Sequence, residues 1–62
     1  MFTDIKFGVR RNSEDYFFVY YRFVFKGKEC QHKVICAKEY LDRTQVMLID
    51  ELAKKMRELL ID

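Results

Sequence analysis

A chain of 62 residues with twelve bases, ten acids and a net charge of +2 has room for one domain and one hydrophobic core. Such a domain hides only about 60% of its unfolded surface, so a disulfide, a metal or a partner subunit is a common supplement. Two cysteines exclude a disulfide framework, no Cys-x-x-Cys pair suggests a zinc module, and the apolar run Tyr16–Tyr21 falls far short of the roughly 20 residues of a membrane span.

The first element is a strand from about Phe2 to Arg11, with Ile5, Phe7 and Val9 inward and Lys6, Gly8 and Arg10 outward. Asn12-Ser13-Glu14-Asp15 follows as a turn, because short polar side chains bond their own backbone there. The second strand, Tyr16 to Lys26, is the longest apolar stretch and belongs in the centre of a sheet. Alternation places Phe17, Val19, Tyr21, Phe23 and Phe25 on one face, and Tyr16, Phe18, Tyr20, Arg22, Val24 and Lys26 on the other. A bulge in so long a strand would flip the faces beyond it, which bears on Arg22, Val24 and Lys26 more than on Phe18 and Tyr20.

Gly27, between two lysines, supplies a second hairpin turn. The third strand covers about Lys28 to Lys38, with Cys30, Val34 and Cys36 inward, His32 among them, and Gln31, Lys33 and Ile35 outward. On a straight strand the six-residue separation of the cysteines spans roughly 20 Å. A disulfide needs Cα atoms within about 7 Å, so they cannot bridge. Two unpaired thiols and the absence of a charged-then-apolar start predict a cytosolic protein of a bacterium, a virus or its host cell.

The tail is predicted as a helix over about 43–61, capped by Asp42 with Gln45 three residues on. Val46, Leu48, Ile49, Leu52, Ala53, Met56, Leu59 and Leu60 gather in one broad arc, with Asp50–Lys54 and Glu51–Lys55 spaced to pair along the helix. An upstream extension would bring Lys38 into the apolar stripe. So wide a stripe reads as core against a sheet and not as a narrow coiled-coil seam. Met47 and Ile61 lie on the charged side, where isolated apolar residues are ordinary. The expected architecture is α+β: a β-β-β antiparallel meander with one C-terminal amphipathic helix on its odd-numbered face. Its core draws on Ile5, Phe7, Val9, Phe17, Val19, Phe23, Phe25, Val34 and the helix stripe.

Chemistry is sparse. Cys30 and His32 share a face, yet nucleophilic catalysis also needs an orienting group and an oxyanion site, which nothing nearby in sequence supplies. Cys30, His32 and Cys36 stretch along a strand instead of surrounding a metal. The two glycines lie far apart, so there is no phosphate loop. The reading is a non-catalytic protein with no cofactor and no metal.

The outward sheet face carries the functional signal. Lys6, Arg10, Phe18, Tyr20, Arg22, Val24, Lys26, Lys33 and Ile35 all project from it, with no acid among those residues. Residues 1–38 hold eight bases against four acids, and residues 39–62 hold four against six, so the basic excess belongs to the sheet. Each aromatic ring can present about 150–250 Å². Long basic stems lying over the rings would shield them and leave an ordinary solvated surface. Otherwise the face is a binding surface. Cations with stacking rings suit DNA or RNA, the first expectation. The predicted layout is similar in topology alone to integrase arm-binding and plant AP2-type domains, whereas the βαββαβ order and Gly-aromatic signature of the RNA-recognition motif are missing. The alternative is a phage- or bacteria-encoded regulator or inhibitor that docks on a larger protein, or on a second copy of itself, through the same face.

Overall fold

The computed structural model describes residues 1–61. Three strands, β1 (Phe2–Arg11), β2 (Tyr16–Phe25) and β3 (Lys28–Ala37), form an open antiparallel sheet in the order β1-β2-β3. A 3-10 turn, Lys38–Tyr40, leads into the helix α1 (Leu41–Leu60), which packs on one face of the sheet over β2 and β3. Among the described residues no helix is long and apolar enough to cross a membrane.

Both turns follow from their residues. The amides of Asn12 and Ser13 donate to the carbonyl of Tyr16 at 3.0 and 3.1 Å, which closes the first hairpin. The second hairpin has two central residues, Lys26 (φ 53°) and Gly27 (φ 78°), between the paired Phe25 and Lys28. Positive φ at both positions matches the right-handed twist of the flanking strands.

The sheet is buried on one side by β2. Val19, Tyr21 and Phe23 are at most 1% exposed, and Leu48 of α1 closes over them. Half-buried Phe7, Phe25, Cys30, Val34, Cys36, Leu41, Leu52 and Met56 surround this centre. The strand β2 pairs with β3 in continuous register from Tyr16 to Phe25, so its faces alternate unbroken and Arg22 and Val24 stay with Phe18 and Tyr20.

The irregularity lies in β1. Thr3 pairs with Val24 but Lys6 with Arg22, so Asp4 and Ile5 together oppose one position of β2. Asp4 takes the left-handed conformation (φ 54°) that short polar residues tolerate. The expected inward place of Ile5 is corrected: it stands 56% exposed, and Phe2 fills the core instead. The Phe2 ring meets Phe23 edge-on at 5.5 Å and Phe25 at 4.7 Å. The bulge reverses the alternation, which is how Phe2 and Phe7 come to share a face. Val9 lies on the core side but is 40% exposed, because α1 packs chiefly over β2 and β3.

The helix also departs from expectation. It starts at Leu41, which packs on the core, and its N-cap is Tyr40 with no side-chain cap bond; Asp42 lies inside the first turn. The 3-10 turn takes up Lys38, whose amide donates to the Asp15 carbonyl at 2.8 Å. The apolar arc is wider than its contact with the sheet. Leu48 is buried, and Thr44 beside it, but Val46, Ile49 and Leu60 are 68, 54 and 65% exposed.

Candidate functional site

The face of the sheet away from α1 is built row by row by the strand register. Arg10, Phe18 and Ile35 form one row, Gly8, Tyr20 and Lys33 the next, then Lys6, Arg22 and Gln31, and last Thr3, Val24 and Glu29. Side chains of paired residues share a face about 4.5–5.5 Å apart, so each row is a set of touching neighbours. Lys6, Arg10, Phe18, Tyr20, Arg22, Gln31 and Lys33 line a shallow concavity of about 550 Å³ on this side.

Phe18 is the centre of its row. The Lys33 ammonium lies 4.8 Å from its ring centroid and the Arg10 guanidinium 5.9 Å, within the range where a cation is drawn to the ring face. Ile35, on the other side of Phe18, is 53% exposed. In the next row the Tyr20 phenol lies over the backbone of Gly8. A Cβ placed on Gly8 would come within 2.5 Å of the Tyr20 hydroxyl oxygen. Gly8 therefore shapes the site by having no side chain. An isolated glycine inside a strand signals such a close approach in sequence.

Two features alter the expected charge of the face. Arg22 donates to Glu29 at 2.8 Å, so the face does hold an acid, contributed by the β3 residue opposite Val24. The Arg22 Nε is shielded and has no hydrogen-bond partner among the described residues. Lys26 is displaced from the face, because β2 ends at Phe25. Lys26 sits in the turn with its ammonium 5.3 Å from the Phe25 ring, which belongs to the helix side. Four cations and one carboxylate remain. Lys6, Arg10 and Lys33 form no ion pair among the described residues.

A second polar cluster lies on the helix side and was not legible in the strand pattern. The buried Tyr21 hydroxyl donates to Glu51 Oε2 at 2.5 Å, and His32 Nδ1 meets the same oxygen at 2.6 Å. Burial first, then the hydrogen bond to Glu51 and the carboxylate's charge, pushes the Tyr21 hydroxyl well above its ordinary pKa. The Tyr21 bond, opposed by desolvation and helped by His32, holds Glu51 below the usual carboxylate range. Glu51 thus orients His32, the role no residue near it in sequence supplied. No hydrogen bond joins His32 to Cys30 among the described residues, and Cys30 and Cys36 are half-buried thiols. Among the described residues no three His, Cys, Asp or Glu side chains converge as metal ligands do. The cluster ties strand, strand and helix together across the edge of the core.

Compared with known proteins, the chain matches no protein-family model, no curated protein and no solved structure.

Proposed function

We propose that this chain is a non-catalytic protein that binds nucleic acid on the sheet face opposite the helix. The observation that carries the reading is the make-up of the face, four cations to one acid around Phe18 and Tyr20; Lys33 and Arg10 cover the Phe18 ring in the free chain, as they would on an ordinary solvated face. Lys6, Arg10 and Lys33 meet phosphates and release their counterions. As Arg10 and Lys33 turn from the Phe18 ring to the backbone, the ring is uncovered for a base, and Tyr20, lying close over Gly8, offers a second stacking surface. The same arrangement contacts duplex phosphates without needing base-specific hydrogen bonds.

Titration of labelled single-stranded and duplex oligonucleotides tests this reading. Phe18→Ala and Tyr20→Ala are each expected to weaken binding by ~1–3 kcal/mol, the range for losing one base–aromatic stack. Failure of the wild-type protein to bind either form at low salt, with a co-purifying protein held through Phe18 and Tyr20, would replace this reading with the protein-docking one.

A further inference from the structure

The exposed flank of α1 has an order of its own. Val46, Ile49, Ala53, Met56 and Leu60 recur at alternating intervals of three and four residues, the spacing of a coiled-coil seam. Val46, Ile49 and Leu60 are each more than half exposed beyond the cover of the sheet, Ala53 is half-buried between them, and Met56 lies at the margin, half-buried against the core. Helix residues at these intervals fit the side of another helix, where each apolar side chain enters a gap between four of the partner's.

We propose that the partner is a second copy of this chain, its α1 packed antiparallel against this one about a two-fold axis. The charges flanking the seam decide both identity and direction. Asp50 and Arg57 lie one residue beyond Ile49 and Met56, along the solvent edge of the seam. An antiparallel register that stacks Ile49 on the partner's Leu60, and Ala53 on the partner's Met56, sets Asp50 opposite the partner's Arg57. The two-fold axis makes the pair occur twice, as a self-complementary contact requires. A parallel pairing would place Asp50 against Gln45 and Arg57 against Leu52, with no charge partner for either. In the single chain Asp50 pairs with Lys54 at 3.0 Å, whereas Arg57 forms no ion pair among the described residues. Among the described residues only four side chains are fully buried, and the helix–helix contact supplies the further burial that so small a core lacks. The face carrying Phe18 and Tyr20 takes no part, so each copy keeps its nucleic-acid surface.

Sedimentation equilibrium over a concentration series tests the proposal on the intact chain. The wild type is expected at twice the 7.6 kDa of the chain. Ile49→Glu should return it to one copy. Because that substitution alters helix burial, a charge swap provides the independent check. Asp50→Arg alone, or Arg57→Asp alone, should raise the dissociation constant by on the order of tenfold, and the double swap should restore it. A wild type that stays at 7.6 kDa throughout the series, a dimer indifferent to Ile49→Glu, or a dimer broken instead by Phe18→Ala would each overturn the proposal. None of these outcomes depends on whether nucleic acid binds.

Discussion

Tyr20 lies across Gly8 so closely that a methyl group on the glycine would press within 2.6 Å of both the ring carbon bearing the hydroxyl and the hydroxyl oxygen. The contact joins the first two strands on the candidate binding face. The atoms that would have to move belong to the far end of a flexible side chain, and Gly8 does not use a left-handed backbone. Gly8→Ala should therefore lift Tyr20 with a change in folding stability within about 1 kcal/mol, since alanine also suits a strand better than glycine. Binding of oligonucleotides should weaken by up to the ~1–3 kcal/mol of a lost stack. Urea denaturation and anisotropy titration of one variant separate the two effects.

The bulge at Asp4 and Ile5 predicts an unusual ranking of core substitutions. Ile5→Ala should cost within about 0.5 kcal/mol, as an exposed position does. Phe2→Ala, which removes the ring packed on Phe23 and Phe25, should cost several times more. Phe23→Ala should cost about 3–5 kcal/mol, and in a domain whose total stability is about 5–15 kcal/mol that approaches loss of the fold. Chemical denaturation of the three variants gives the order. Equal costs for Phe2→Ala and Ile5→Ala would mean that β1 runs without a bulge.

The Tyr21–Glu51 bond predicts how stability depends on pH. Glu51 has a lowered pKa in the folded chain, so its contribution is present above the ordinary carboxylate value of 4.5 and is lost as pH falls through the lowered one. The Tyr21 hydroxyl has a raised pKa, so its contribution is complete below its ordinary value of 10.0. It declines as pH rises from there, because the unfolded chain gives up the phenolic proton first. Melting temperature should fall at both ends of the range, and Tyr21→Phe should blunt the alkaline fall while leaving the ring packed. Identical alkaline profiles for the wild type and Tyr21→Phe would exclude this role.

Much of the architecture was legible because period-two alternation in β2 and helical periodicity in the tail are strong local signals. The turns at Asn12–Asp15 and Gly27 were marked by residue types that few other conformations favour. What escaped the pattern was set by tertiary geometry. Nothing local distinguishes Ile5 from Phe7 as a core residue; the bulge that separates them is fixed by pairing with β2. Glu51 sits on the helix like any surface acid until Tyr21 and His32 meet it from two strands. Lys26 leaves the binding face because β2 ends one residue earlier than its composition suggests, whereas Glu29 follows the same alternation that turns Gln31, Lys33 and Ile35 outward. The helix stripe reads as uniform in sequence, yet a three-stranded sheet covers only its inner part.

The salt dependence of oligonucleotide binding addresses the proposed function most directly. If Lys6, Arg10 and Lys33 all meet phosphates, the affinity for duplex DNA should fall with salt at a log–log slope of about −3, and for single strands of about −2. Lys33→Ala should flatten the slope by about one unit, Phe18→Ala should weaken binding with the slope nearly unchanged, and Lys26→Ala should alter neither. Binding that is absent at low salt, or whose slope ignores Lys33→Ala, would contradict the assignment of this face to nucleic acid.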